Sequence, residues 1–478
     1  MRFRIFPKKP LLFVLGGFLA LTGLATLTWP GKGEPPSASS PVSSQIVASP
    51  VASEAPGNTS GPAPSSSPPQ EGTPPLRSIE ALRNKSRVDA QIQFYQERIS
   101  QNPEEVRNYH LLATYYIRKA RESGDIAYYL LAETTLQKAL EVKKEDYDVL
   151  KYLAAVYLSK HQFKEALALA KKLRELRPED YLNYGTMGDA LVELGEYDQA
   201  EEAIQTMVQL KPGLVSYSRA SYLRELRGDV EGAIGLMEMA VRTANPRESE
   251  AVSWCLTQLG HLYFNKGELS KADEHYARAL RVFPKYHYAL AGKGGVEAAK
   301  KNYPEALHWY KQAIAVIPLP EFVTALGDVY QKMGDLQEAK KQYDLMEYIG
   351  LLSKINQVVY NRDLALFYAD HDIKLKEALE LALKELEFRK DNIYTSDAIA
   401  WAYYKNGQFQ EARKAIAQSL RLGTQDARLF FHAGMIYYKL GERDKAVAYL
   451  GRALSTNPYF HVIYADVAEK TLAEIKMQ

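Results

Sequence analysis

Between Ser253 and Pro318 the chain reads SWCLTQLGHLYFNKGELSKADEHYARALRVFP (253–284), then KYHYALAGKGGVEAAKKNYPEALHWYKQAIAVIP (285–318). One pattern is written twice. Gly260, Ala272, Tyr276, Ala279 and Pro284 are followed, 34 residues later, by Gly294, Ala306, Tyr310, Ala313 and Pro318. Among the marked positions only Tyr263, answered by Glu297, changes type. A fixed period of this length, carried by small residues, marks a stacked helical repeat.

Each period predicts two short amphipathic helices. Gly260 lies on the first and Ala272 on the second, and small residues there let the two backbones approach closely. Tyr263 and Tyr276 fill the space beside that contact. The turn Asn265-Lys266-Gly267-Glu268 offers Gly267 for a left-handed helix end. Pro284 stops the second helix, because proline lacks the donor and clashes with the preceding turn. One such hairpin cannot bury its apolar face alone, whereas stacked neighbours can. Small, aromatic and proline positions recurring in one register resemble the tetratricopeptide repeat family. That resemblance implies an all-α fold, a right-handed α-solenoid of helix-turn-helix units.

Outward from this pair the register continues in both directions. Ala154, Ala166 and Pro178 map onto Gly188, Ala200 and Pro212. A unit with Ala113, Ala132 and Ala139 precedes them, lengthened by about seven residues around Arg121-Glu122-Ser123-Gly124-Asp125. A divergent unit carries Ser221 and Ala233. After the central pair come Gly327, Tyr330, Ala339 and Tyr343. Leu345 to Tyr360 then breaks register, and Ala378 resumes it. Ala400 with Ala412, and Gly434, Tyr437, Ala446, Ala453 and Pro458, complete about ten units. Ile79–Asn102 and Tyr459–Gln478 read as capping helices. The solenoid is therefore expected over 79–478.

The N-terminus has a different composition. Arg2, Arg4, Lys8 and Lys9 precede Leu11–Trp29, a run without charge. At about 1.5 Å per residue that run reaches roughly 28 Å, close to a bilayer's hydrocarbon thickness. Residues 1–30 are read as a basic flank with a single membrane helix; a cleaved signal peptide is the alternative. The basic flank places Met1 in the cytoplasm and the repeats outside it, or releases the repeats if the segment is cleaved. Residues 31–78 are Pro/Ser-rich, carry no apolar periodicity and are expected to be a disordered linker.

The chain has one cysteine, Cys255, so an intrachain disulfide is excluded. Its formal net charge is +2, and residues 79–478 mix both signs almost evenly, which argues against nucleic acid as a partner. Gly185-Thr186-Met187-Gly188 and Gly292-Lys293-Gly294-Gly295 follow no strand, so neither is expected to hold phosphate. Asp370-His371-Asp372, and His261 with His275, are the nearest approaches to a metal set; both are expected to be structural. No region outside the repeats is large enough for a catalytic domain, so no enzyme, cofactor or metal is expected.

The family resemblance implies that first helices line an inner, concave face. Mapped here, its lining positions give Trp254, His261 and Phe264 with Tyr288 beside them, Tyr222 (with Ser218 and Glu225), Tyr394 and Trp401 with Tyr404 (and Asp397), then Phe431, Met435 and Tyr438. Arg219 joins Tyr222 as a candidate for an acidic group. The lysines and asparagines of the version of this repeat that grips a terminal carboxylate are missing at Lys151/Ala155 and Gly185/Asp189, so that partner class is set aside. Ser216–Tyr222 and Ser396–Tyr404 are also similar to segments of bacterial repeat proteins with an N-terminal signal or anchor. The expectation is a membrane-tethered or exported scaffold for envelope or secreted proteins. The alternative is a carbohydrate-binding scaffold in polysaccharide assembly or export, since aromatic grooves suit extended peptides and sugar rings alike.

Overall fold

The computed structural model describes residues 76–477 apart from 124, 247 and 356–360, with side chains from Val88 onward except at 352–355. The expected membrane segment and residues 31–75 of the expected linker lie outside the described residues, while residues 76–78, expected to be linker, already belong to the first helix. Among the described residues, no helix is long and apolar enough to cross a membrane.

The fold is all-α. After α1 (Leu76–Gln101) come ten helical hairpins among the described residues. The first five pair α2 (Val106–Ser123) with α3 (Ala127–Val142), α4 (Tyr147–Ser159) with α5 (Phe163–Leu176), α6 (Tyr181–Leu194) with α7 (Tyr197–Leu210), α8 (Leu214–Leu226) with α9 (Val230–Arg242), and α10 (Ser249–Asn265) with α11 (Leu269–Val282). The next five pair α12 (His287–Ala299) with α13 (Tyr303–Val316), α14 (Pro320–Met333) with α15 (Leu336–Ile355), α16 (Asn361–Asp370) with α17 (Leu375–Lys384), α18 (Ile393–Lys405) with α19 (Phe409–Ser419), and α20 (Ala427–Lys439) with α21 (Arg443–Thr456). The last helix, α22 (Tyr464–Met477), packs on α21. The lengthening near Ser123 and the long α15 match the two places where the small-residue register slips.

Small residues fix how each hairpin closes. Ala132, Ala166, Ala200, Ala233, Ala272, Ala306, Ala378, Ala412 and Ala446, all on second helices, have no accessible surface. Opposite them the first helices carry glycine, alanine or serine. A Cβ on Gly260 would stand 2.3 Å from Tyr276 Cε1, and one on Gly292 2.5 Å from the same atom. Tyr276 is thus clasped between the first helices of two adjacent units. Its hydroxyl lies 2.8 Å from His261 Nδ1. At the serine-bearing unit, Ser221 Oγ donates to Ala233 O at 2.7 Å, so the hydroxyl gains a partner without widening the contact.

Hairpin turns use the left-handed region. Gly195, Gly228, Gly267, Gly334, Gly407 and Gly441 have φ between 74° and 83°. Lys301 occupies the equivalent turn at φ 62°. Helix starts are capped where the chain supplies a carboxylate or amide. Asp146, Asp180, Asp229, Asn392 and Asp426 each accept from backbone N–H groups of the first turn.

Three of these turns do a second job. A Cβ on Gly195 would lie 2.2 Å from the Asp391 carbonyl, one on Gly228 2.4 Å from Gly423 O, and one on Gly267 3.2 Å from Pro458 Cδ. The turns of the third, fourth and fifth hairpins therefore touch the connections that follow the eighth, ninth and tenth. Hydrogen bonds stitch this seam: Ile393 N to Tyr197 Oη at 3.0 Å, Thr424 Oγ1 to Leu226 O at 2.5 Å, and Arg421 Nη2 to Gly195 O at 3.3 Å. Arg389 crosses it to Glu193 at 2.5 Å, and also pairs with Glu385. The solenoid completes a turn in between five and six units and stacks on itself.

Candidate functional site

Because one turn closes on the next, the first helices enclose a lumen. A ≈620 Å³ cavity is lined by α8, α10, α12, α14, α16 and α18, by the start of α20, and by the segment from Pro458 to Asp466. Six of the residues singled out from the sequence line this one cavity: Tyr222, Trp254, His261, Phe264, Tyr288 and Tyr394. All six are half-buried. Trp254, Phe264 and Tyr288 come from neighbouring units. Tyr394 reaches Tyr222 only because the seam brings α18 against α8.

The other six stand elsewhere. Arg219 is buried and gripped by Asp189, Nε to Oδ1 at 2.9 Å and Nη2 to Oδ2 at 2.7 Å, so it is not presented to an acidic ligand. Trp401 is 1% exposed; its Nε1 donates to Asp370 Oδ1 at 2.8 Å and its ring stacks on Tyr404 and His432. Phe431 is fully buried against Phe460 and Tyr464, and Met435 is buried beside it. Tyr404 and Tyr438 are half-buried and lie outside the cavity lining. The reason is the C-terminal segment. Phe460 and Tyr464 cover the inner side of the last two units, with Tyr464 edge-on to Trp401 at 5.9 Å. The concave surface expected there is core.

Charge in the cavity was less visible from the sequence. Glu225 and Asp397, mapped as lining positions, do line it, together with Glu321, Asp363, Asp426, Arg362 and Arg428. Burial, then the neighbouring Asp426, pushes the Glu225 carboxyl up to about 7. Burial also raises Asp426, partly offset by its backbone partner at Arg428. Burial lowers His261 to about 4, so its imidazole is neutral at physiological pH. Tyr222 and Tyr394 are pushed well above the phenol's ordinary value by burial, reinforced by nearby carboxylates. The lumen wall carries more acidic than basic side chains, set beside aromatic faces.

The metal candidates dissolve into structural roles. Asp370 accepts from Trp401 and pairs with Arg428 at 2.5 Å, His371 Nε2 lies 2.7 Å from Asp328 Oδ1, and Asp372 pairs with Lys405 at 2.8 Å. His275 stacks on Tyr263 rather than facing His261. A grouping not foreseen, His110 with Asp146 and Asp148, is accounted for by Asp146 capping α4. Cys255 is buried, and burial alone drives its thiol far above the ordinary value, away from reactivity.

Family models agree with this architecture. Models described as tetratricopeptide repeat match residues 157–224, 257–318, 320–345 and 398–459. The human protein O-mannosyl-transferase TMTC1 is 30% identical over 232 residues, 47% of this chain and 25% of that protein. The BBSome complex member BBS4 of Bos taurus is 23% identical over 299 residues, 61% of this chain and 54% of that protein. The TPR repeat-containing protein YpiA of Bacillus subtilis is 22% identical over 337 residues, 68% of this chain and 67% of that protein. The chain spans from a quarter to about half the length of the first curated relatives it matches. Among solved structures, a human IFIT1 dimer is 16% identical with a TM-score of 0.45, covering 77% of this chain and 87% of that one.

Proposed function

Taking as premise that the chain belongs to the tetratricopeptide repeat family, we propose that it is a non-catalytic interaction scaffold that holds protein partners in its lumen. The carrying observation is the cavity itself, ringed by the first helices of consecutive units and walled by Tyr222, Trp254, Phe264, Tyr288 and Tyr394. Half-buried aromatics around a concavity supply contact area at small cost in side-chain entropy. Relatives named as members of multi-protein complexes, the BBSome and the anaphase-promoting complex, support the same reading.

Gly295 offers a clean test. It lines the cavity, and a Cβ there meets nothing nearer than Tyr310 Oη at 3.5 Å. Gly295→Trp adds an indole at the lumen wall from a position where the first added carbon meets only ordinary contacts, and a melting curve like that of wild type checks that the hairpin is kept. Capture of partners from native extracts is expected to fail with this variant and to persist with Lys340→Glu on the outer, exposed face. Identical partners for wild type and Gly295→Trp would remove the lumen from the function.

We place the scaffold at a membrane, with residues 1–30 as anchor and the repeats extracytoplasmic, or free if that segment is cleaved. The four basic residues before the apolar run support this orientation. Protease added to intact spheroplasts is expected to cut residues 31–75 and release a fragment starting near Arg77. Full protection of the chain overturns the topology. A carbohydrate-binding scaffold in envelope polysaccharide assembly is the second reading, favoured by Trp254 and Tyr288 on the lumen wall. Polymeric glycans should then shift the fluorescence that Trp254→Phe removes, and no shift with any glycan sets it aside.

A further inference from the structure

Eight carboxylates line the lumen against four lysines and arginines, on a chain whose overall charge is near balance. Two of the four cations are already engaged: Arg428 by Asp370 at 2.5 Å, and Lys332 by Asp466. Several carboxylates have local partners too. Asp328 lies against His371 and His461, and Asp397 against His432. Glu225 is different. Among the described residues no cation lies within ion-pair distance of it and its one side-chain partner is the Asn265 amide; across the seam, where Leu226 O meets Thr424 and Gly228 meets Gly423, a second carboxylate, Asp426, lines the same cavity. Asp426 caps α20 through Oδ1, to Arg428 N at 2.8 Å and Leu429 N at 3.4 Å. Its Oδ2 has no hydrogen-bond partner among the described residues. Tyr222 and Tyr394 stand beside this pair, each within electrostatic reach of Glu225.

Two carboxylates on one stretch of the lumen wall repel, and partial burial destabilises the charged form of each, with the Arg428 guanidinium offsetting this at Asp426 but not at Glu225. A cation between them relieves both terms, and flanking aromatic faces add cation–π attraction of about 0.5–2 kcal/mol. We propose that the lumen accepts a basic, extended segment of a partner protein, seating one arginine or lysine side chain between Glu225 and Asp426 with Tyr222 and Tyr394 as walls. This rests on the lumen being the protein-binding site, and it names the chemistry of the partner. The seat exists only where α8 meets the start of α20, at the seam closed by Thr424 and Leu226. An acidic segment or a nucleic acid meets the wrong sign of charge on the same wall.

The probes are fluorescein-labelled dodecapeptides alternating glycine with arginine, with glutamine or with glutamate, titrated into the full chain and followed by anisotropy. The arginine peptide is expected to bind at least tenfold tighter than the glutamine peptide, with affinity falling as salt rises. Glu225→Gln with Asp426→Asn should abolish that preference, and because asparagine still caps a helix and losing the Glu225 charge relieves repulsion, the fold should be retained, with a melting curve unchanged at pH 5 and moved upward, not downward, at pH 8. Equal binding of the glutamine or glutamate peptide, no binding of any peptide, or an unchanged preference in the double variant each overturns the proposal. The two readings fail separately. If Gly295→Trp loses native partners while no peptide shows a charge preference, the scaffold stands and the basic segment falls. If the arginine preference depends on Glu225 and Asp426 while Gly295→Trp keeps every native partner, the cation seat stands and the scaffold reading falls.

Discussion

Glu225 carries a stability signature that can be read without any ligand. In the folded chain burial, then Asp426, lifts its carboxyl to about 7, against an ordinary value of 4.5, with Tyr222, Tyr394 and the Asn265 amide as its other neighbours. A carboxyl raised on folding holds its proton in the native state while the unfolded chain has lost it. Its contribution is fully present below about pH 4.5 and disappears as pH rises through about 7. Glu225→Gln should therefore leave stability nearly unchanged at pH 5 and raise it at pH 8, by about 1–3 kcal/mol, the lower end applying where lumen water screens the charge. Denaturant midpoints at the two pH values decide it, and a gain independent of pH would assign the effect to something other than ionisation. At this scale the sequence was a partial guide. Mapping lining positions found Tyr222, Glu225 and Asp397, because side-chain direction on a helix follows its period. It could not find Asp426, which lies outside the helical period as a cap, nor foresee that Asp189 would take Arg219.

Hairpins are where the chain is most legible, and the reason is steric. A helix contact close enough to exclude anything larger than a methyl or hydroxymethyl group admits only glycine, alanine or serine, and the tightest of them only glycine, so the contact must show in the sequence wherever it occurs. Gly260 and Gly295, both on first helices, make opposite predictions. Gly260→Ala drives a Cβ into the Tyr276 ring at 2.3 Å and should cost about 1–3 kcal/mol. Gly295→Ala meets only ordinary contacts, the nearest at 3.5 Å, and should stabilise α12 by about 0.5–1 kcal/mol. Thermal melts of the two single variants should move in opposite directions, and movement in the same direction would contradict the close approach at Gly260. Ala272→Leu belongs with Gly260, since Ala272 has no accessible surface, and should cost about 1–3 kcal/mol. The aromatic pattern was less decisive because one tyrosine pattern serves two ends. Tyr222 and Tyr394 face the lumen, whereas Trp401 and Phe431 are sealed under Phe460 and Tyr464. Nothing in α18 or α20 announces that a terminal segment covers it.

The winding of the solenoid is the least legible feature, because pitch is the accumulated sum of small rotations between units, and no single residue encodes it. Only its consequences are local. Gly195 and Gly407 are both turn glycines, with φ of 82° and 74°, but a Cβ at 195 would strike the Asp391 carbonyl while one at 407 meets nothing within 4 Å. Replacing either by alanine should cost about 1 kcal/mol for the left-handed conformation alone. The excess cost at Gly195 therefore reports the seam. That excess should appear with faster amide exchange at Ile393, whose N–H bonds Tyr197 Oη across the seam, and not at residues of α5 or α13. The same seam holds Arg389 between Glu193 and Glu385, all three buried. Removing the arginine leaves both carboxylates with only the more distant charge of Arg362, so Arg389→Ala should cost about 3–5 kcal/mol. Glu193 comes from the third hairpin, and Glu385 with Arg389 from the chain between the eighth and ninth, so this loss should also open one turn of the superhelix from the next. Because Tyr394 and Asp426 reach Tyr222 and Glu225 only through that closure, Arg389→Ala should weaken the arginine-rich peptide although Arg389 does not line the lumen. Small-angle scattering on the variant would then show an expanded particle. An unchanged radius with unchanged peptide affinity would mean that the lumen is held by the individual units and not by the seam.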